Sequence, residues 1–438
     1  MKTRRQTFVT RRKLLVLSFG VLALVVLLIW FGEALLPPMP PRTVAMAIYP
    51  EGSFNAGIVK RYREILARDG VELKTVLSPG AVESMARLRD AKSGTNIALV
   101  PGGTTTEQDS PELVSLGTMY YRVLWIFSRG HFRQHHGPLR GLRISIGPEG
   151  SSSHALALKL LGPAGMIDRN SATLLTLTPS ESAQKLIGGE IDAAIFLDAW
   201  ESPAVQQLLN NKDVELESIQ RADAFVALYP YLDKLVLPTG VVDMAEPRPP
   251  ADVLLIATKS SLVVRKDLHP AIQYLLLEAA VEIHSTPGMF RTAGQFPAAE
   301  SIDLPLSSHA RDFYKTGPPF LQRHLPFWLA VFLKQALILL IPLVAVLFPV
   351  FRFAPPVYDW LERRRVYKLY TELRHIEDKM FFAASDSTQM EFIERLDRLK
   401  DRASRLSVPI PYKPHVYALR VYIDMVRREA EKLISPER

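Results

Sequence analysis

Residues 143–161 read RISIGPEGSSSHALALKLL. Arg143 to Ile146 has the make-up of a short strand. Gly147, Pro148 and Gly150 then break it, Ser151, Ser152 and Ser153 supply the hydroxyls that favour a helix start, and His154 to Leu161 continues as a helix. A strand that passes through a glycine-serine loop straight into a helix is the elementary step of an α/β sheet, and in such sheets ligands bind beyond the carboxyl ends of the strands.

The same step recurs on both sides. Upstream, Val44 to Ile48 reads as a strand, Ala56 to Asp69 as a helix, Glu72 to Leu77 as a strand, Val82 to Lys92 as a helix and Ile97 to Val100 as a strand; the rhythm continues through Met119 to Ser128. Downstream come Thr173 to Leu177 (strand), Glu181 to Gly188 (helix), Ala193 to Phe196 (strand) and Ala204 to Asn210 (helix). This predicts an α/β fold of two units with a mostly parallel sheet, joined near Gly130 to Gly141.

Four strand-to-helix junctions carry the candidate binding chemistry: Ile48 to Asn55, Ser78 to Ser84, Gly147 to Ser153 and Phe196 to Pro203. Glycine lets a backbone approach a ligand, hydroxyls donate hydrogen bonds, and the free amides of a helix start attract carboxylate or phosphate. Ordinary helix capping by Ser and Gly is the competing explanation of each junction taken singly.

Composition excludes several function classes. The 438 residues include no cysteine, which removes disulfides, thiolate metal sites and cysteine nucleophiles. The net charge of +8 is unevenly spread: residues 1–13 carry +6, residues 352–438 carry +4, and residues 14–351 carry −2. The basic balance is therefore a topology signal rather than a nucleic-acid footprint, and no nucleic-acid partner is expected.

That topology has two apolar segments. Residues 1–13 form a basic, cytoplasmic N-terminus, and Leu14 to Phe31 is an uncharged run of 18 residues, read as an uncleaved membrane helix. A cleavable signal ending near Gly32-Glu33-Ala34 is the alternative. Residues 32–42, with Pro37, Pro38, Pro40 and Pro41, form a stiff linker, and residues 43–319 form the ligand domain. A second span runs over 326–351 with Lys334, Gln335 and Pro342 as its interruptions, followed by Arg352, Arg363, Arg364, Arg365 and Lys368. Both termini are therefore expected in the cytoplasm of a bacterial cell, and the ligand domain in the periplasm or outside. In residues 352–438, apolar positions repeat at spacings of three and four around Leu369, Leu396 and Leu419, which predicts a cytoplasmic bundle of three helices able to dock a partner.

Catalytic fingerprints are missing. Gly102-Gly103-Thr104 lacks the lysine of a phosphate loop, and Ser182-Ala183-Gln184-Lys185 matches a serine-lysine motif only in its four letters, in mid-helix. His131, His135 and His136 have helical metal-ligand spacing but fall in the loop between the units. No enzyme activity, cofactor or metal is expected.

In order and spacing, several stretches resemble the TAXI family of TRAP-transporter solute-binding proteins, members of the type II periplasmic-binding-protein superfamily. They are the opening strand with Gly52-Ser53-Phe54-Asn55, Pro79-Gly80-Ala81-Val82-Glu83, Ile97 to Val100, and Leu139 to Ser152. Gly189 to Ala194, Pro203-Ala204-Val205, Tyr229-Pro230-Tyr231 and Leu237-Pro238-Thr239-Gly240 complete the set, over Val44 to Leu304. The resemblance implies a two-lobe type II periplasmic-binding-protein fold, here flanked by two transmembrane helices and a C-terminal α-helical bundle, closing over a small anionic or zwitterionic solute passed to a TRAP-type permease. By position it places Ser53, Phe54 and Asn55 in the first ligand loop, Gly80 and Ala81 in the second, Ser151 and Ser152 in the third, and Trp200 and Glu201 at the crossover. Tyr121 and Arg122 join the set, Arg122 as a carboxylate partner by charge pairing, with an exposed arginine as the alternative. The chain departs from the family where Gly-Thr-Tyr-Tyr is common and it has Gly-Ser-Phe-Asn, and where a glutamine is common and it has Pro101. A tethered receptor for solute uptake is the expected function, and a membrane sensor or scaffold acting through the cytoplasmic bundle is the alternative.

Overall fold

The structure, a computed structural model, describes residues 38–49, 54–130, 141–161, 172–380, 386–406, 408 and 410–434. The expected first span, Ser53 and the three histidines of the 131–136 loop lie outside the described residues. The chain forms two units, residues 38–332 and a second unit that includes residues 333–438.

In the first unit the expected alternation is present. β1 (Thr43–Ile48), α1 (Phe54–Arg68), β2 (Glu72–Leu77), α2 (Ala81–Arg89) and β3 (Ile97–Pro101) are followed by a 17-residue strand, β4 (Leu113–Arg129). Next come β5 (Arg143–Ser145), α3 (Ser152–Leu161), β6 (Thr173–Leu175), α4 (Pro179–Ile187), β7 (Ala193–Asp198), α5 (Pro203–Leu209), β8 (Val214–Leu216), α6 (Ala222–Leu228) and β9 (Leu232–Leu237). A 13-residue strand, β10 (Val253–Arg265), precedes α7 (Pro270–His284), α8 (Ser308–Thr316), α9 (Phe320–His324) and α10 (Phe327–Met380).

All ten strands make one sheet in the order β2-β1-β3-β10-β4-β7-β5-β6, with β8 paired to β4 and β9 to β10. Two parallel trios, β2-β1-β3 and β7-β5-β6, lie at its ends, and the antiparallel pair β10 and β4 runs between them. This corrects two expectations. The sheet is mixed rather than mostly parallel, because β10 runs antiparallel to β3 and β4 antiparallel to β7. The chain also passes between the halves within β4 rather than at Gly130 to Gly141. Val114 and Leu116 belong to the core of the first half, whereas Val123, Trp125 and Phe127 belong to the second.

Each half is covered on both faces. In the first, α1 and α7 bury Tyr62, Leu66, Ile272 and Leu276 against Met46 and Leu99, and α2 buries Met85 and Leu88 against Val100 on the other side. In the second, α4 and α5 cover Phe127 and Phe196, while α3 and α6 cover Ile144 and Ile195. Strands buried on both faces read as unbroken apolar runs, which is why β4 and β10 show little alternation in sequence.

The start of α10 belongs to this unit: Phe327 and Val331 are part of the first half's core, and the Trp328 indole N–H donates to the Asp69 carbonyl at 2.7 Å. Phe327–Ala345 is, among the described residues, the segment long and apolar enough to cross a membrane by length and composition. In the second unit, the last turns of α10 with α11 (Asp386–Arg405) and α12 (Lys413–Ile434) bury Leu373, Ile376, Leu396, Leu399, Leu419 and Ile423 in one core, so the three apolar seams meet as their spacing predicts.

Candidate ligand-binding site

The carboxyl ends of both parallel trios converge on one cavity of about 210 Å3. From the first half it is lined by Tyr49 after β1, Asn55 in the first turn of α1 and Pro79 after β2; from the second by Pro148 and Ser151 to Ser153 after β5, Thr178 to Ser180 after β6, and Asp198, Ser202 and Ala204 after β7. Arg122 enters from β4, where the two halves share a strand. Sheet topology therefore puts these cavity-facing loops at the switch between two parallel blocks, the usual location of a binding site in an α/β sheet.

Arg122 is the dominant charge. It is buried, and its Nη2 donates to the Leu197 carbonyl at 2.6 Å. Among the described residues its Nε and Nη1 make no well-formed hydrogen bond, and neither do the Tyr49 hydroxyl and Ser152 Oγ on the same cavity wall; Tyr49 interacts with Arg122 and Ser152 only loosely. Its guanidinium carbon lies 5.5 Å from the centre of the Tyr49 ring. Burial works against the charge, but the Tyr49, Tyr120 and Asp198 oxygens favour it more, so the Arg122 pKa lies above its ordinary value. Burial likewise pushes the Tyr49 hydroxyl up, keeping it a neutral donor. Buried donors left unpaired are costly, and a ligand with acceptor oxygens would relieve that cost.

The three consecutive serines do different work. Ser151 Oγ accepts the His154 amide at 3.2 Å and so caps α3; Ser153 Oγ accepts the Leu197 amide at 2.9 Å and ties the start of α3 to β7; the Ser152 hydroxyl makes no well-formed hydrogen bond among the described residues. The α4 start is closed by a capping box between Thr178 and Glu181, with Ser180 beside it on the wall. Opposite in charge to Arg122, the Asp198 carboxylate lines the same cavity, its Oδ1 accepting the Ala199 amide at 2.9 Å.

Of the residues singled out in the sequence, Asn55, Arg122, Ser151 and Ser152 line this cavity. Ser53 is outside the described residues, and the others do not line it. Phe54 packs edge-on against Tyr120 with ring centres 5.4 Å apart, and Ala81 is fully buried. Gly80 abuts Gly150, where a β-carbon would lie 2.1 Å from the carbonyl oxygen. Tyr121 faces away, against Phe296 and Lys259, because neighbours on a strand point to opposite faces. Trp200 packs on Trp125 and Phe290, and Glu201 pairs with Arg291 at 3.2 Å. Tyr49, Asp198 and Ser202 stand within the junctions read from the sequence without having been singled out there, whereas Thr178 and Ser180 lie at a junction that reads only as a helix start.

The NMT1-like family model matches residues 62–316, more than half of the sequence. The chain belongs to the NMT1-like family. No curated protein matches it. Among solved structures, the Escherichia coli periplasmic aliphatic sulphonate binding protein SsuA is 15% identical, with a TM-score of 0.35, over 56% of this chain and 69% of that one. A methionine-bound nutrient binding protein from Burkholderia cenocepacia is 14% identical, TM-score 0.33, over 62% and 95%. A methionine-binding lipoprotein of Bacillus subtilis subsp. subtilis is 16% identical, TM-score 0.33, over 55% and 90%. At such scores no ligand is carried over from them. This NMT1-like chain carries its candidate site on a mixed α/β sheet.

Proposed function

We propose that residues 43–319 capture a small carboxylate-bearing solute, anionic or zwitterionic, between the two halves of the sheet, as the extracytoplasmic receptor of a TRAP-type uptake system. The observation that carries this reading is the buried Arg122, with Nε and Nη1 lacking well-formed bonds beside the hydroxyls of Tyr49 and Ser152 in one cavity. An arginine fork matches the two oxygens of a carboxylate. The amides at the α3 start add partial positive charge, and Asp198 supplies a partner for an ammonium group.

In this reading the protein is anchored in the bacterial inner membrane through 14–31 and 326–351, with both termini cytoplasmic and a TRAP-type permease or another membrane protein as its partner. The apolar Phe327–Ala345 segment supports the second anchor. A tethered receptor meets its permease at a high effective concentration.

Melting the full-length protein with a panel of organic acids and amino acids tests the binding. A solute at a hundred times its Kd should stabilise the ligand unit by about 2.7 kcal/mol. A folded protein that no acid or amino acid stabilises would overturn the reading.

The second reading, a sensor or scaffold, is favoured by one observation: Tyr417, Val421 and Met425, spaced by four on α12, are exposed on the bundle. Removing residues 357–438 separates the two. Solute uptake that survives the truncation favours the receptor alone; intact binding with a lost cytoplasmic response favours the sensor.

A further inference from the structure

Two residues before Arg122 on β4, Tyr120 is fully buried behind the cavity wall. Its hydroxyl donates to Asn55 Oδ1. The ring is fixed from two directions: Phe54 meets it edge-on, and the His284 imidazole stacks on it with centres 5.6 Å apart and planes 15° from parallel. His284 is itself held within 3.2 Å of the Tyr62 hydroxyl.

A side-chain amide is flat, with an acceptor oxygen at one end and a two-proton donor at the other. Once Tyr120 holds the oxygen of Asn55, the NH2 group is the end left for the cavity that Asn55 lines. We infer that Tyr120 is a positioning residue that sets the polarity of the site: by turning the Asn55 amide it adds a second fixed donor beside Arg122 at the point where a carboxyl group would sit, and so selects a carboxylate over the matching carboxamide. The inference rests on the reading of the cavity as a carboxylate site.

The selection follows from satisfaction of donors. A carboxylate offers acceptors to both groups, whereas the NH2 of a carboxamide sets a donor against a donor and leaves a buried group unpaired. Without the Tyr120 hydroxyl, Asn55 is free to rotate and present its carbonyl to that NH2.

The test uses full-length protein in detergent, with propionate, lactate and pyruvate measured against propionamide, lactamide and pyruvamide by calorimetry. Wild type should favour the acids about tenfold or more. Tyr120→Phe should bring that ratio close to one while the ligand-free melting temperature moves by only a few degrees; a ratio unchanged in Tyr120→Phe overturns the inference and leaves the carboxylate reading standing. Should Tyr120→Phe not fold, Asn55→Leu carries the same comparison with the same expected fall, and an unchanged ratio there is equally decisive. If wild type binds none of the acids, the carboxylate reading fails, and ligand-free melting of Asn55→Asp, Tyr120→Phe and the double variant decides. An aspartate keeps the acceptor, so the two changes should be non-additive, and simple additivity overturns the Tyr120–Asn55 linkage.

Discussion

Gly80 and Gly150 meet so closely that a β-carbon on residue 80 would lie 2.1 Å from the Gly150 carbonyl oxygen, the same oxygen that accepts the Val82 amide at 3.3 Å. The α2 start of one half is thus seated on the loop that opens α3 in the other. Gly80→Ala should hold these loops apart. The expected result is solute affinity about tenfold weaker, a larger radius of gyration by solution scattering in saturating solute, and a lower melting temperature of the ligand-free protein, because the overlap is with backbone atoms and the Val82 bond is lost. Wild-type affinity in Gly80→Ala would mean that the contact plays no part in binding.

Replacing Arg122 separates stability from function. Its buried charge is only partly compensated, and a buried charge without full hydrogen bonding is costly to the fold. Arg122→Met is therefore expected to melt no lower than wild type and to lose solute binding, while Arg122→Lys keeps the charge, loses the fork and binds at least about tenfold more weakly. A strongly destabilised Arg122→Met with normal binding would make Arg122 a structural residue.

Neighbouring serines should give opposite phenotypes. Ser151→Ala removes the cap of α3 and should cost about 1 kcal/mol in denaturant unfolding. Ser152→Ala removes a hydroxyl that makes no well-formed hydrogen bond among the described residues, so unfolding should be little changed and affinity reduced. Equal effects of the two changes on both measurements would contradict this division.

One buried and one half-buried group tilt stability with pH in opposite senses. Burial lowers the His284 pKa from 6.5 to about 3, with Arg291 and Arg61 adding to it, so the unfolded chain binds more protons between those values and stability is lost as pH falls, by at most about 1.4 kcal/mol per unit. Burial, helped by the Asp69 charge, raises Glu278 from 4.5 to about 7, so the folded chain binds more protons there and stability is lost as pH rises through that window. Melting between pH 4.5 and 7 should therefore rise more steeply with pH in Glu278→Gln than in wild type and turn downward in His284→Phe. Identical slopes in both variants would refute the assignment.

Trp328→Ala removes the bond to the Asp69 carbonyl and the ring that lies over Gly70, where the indole nitrogen would come within 3.1 Å of a β-carbon. The ring is only partly buried, so a loss of about 2 kcal/mol in unfolding of the ligand unit is expected. A change below about 0.5 kcal/mol would show that the fold of this unit does not depend on Trp328.

Helix starts were legible because their chemistry is local. The glycines, serines and prolines before Phe54, Ala81, Ser152 and Pro203 mark those starts within a few residues wherever the sheet lies. Strand direction was not legible in the same way. Val123 pairs with Ala257 across more than 130 residues, and nothing next to Val123 in sequence names that partner. The site divides along the same line. Arg122 stands out as a charge within an apolar run, but Tyr121 beside it could only be excluded by knowing which face of β4 meets the cavity. Trp200 and Glu201 follow the right strand, yet they are drawn off by Phe290 and Arg291, some ninety residues later in the chain.

The guanidinium of Arg42, at the threshold of β1, lies 5.5 Å from the centre of the Trp328 ring at the start of α10. Entry to and exit from the ligand unit therefore share one footing, on the half that also holds Val44, Phe327 and Val331 in a single core. None of the residues that line the cavity belongs to that core, so substitutions in the footing and substitutions in the cavity address separate parts of the unit.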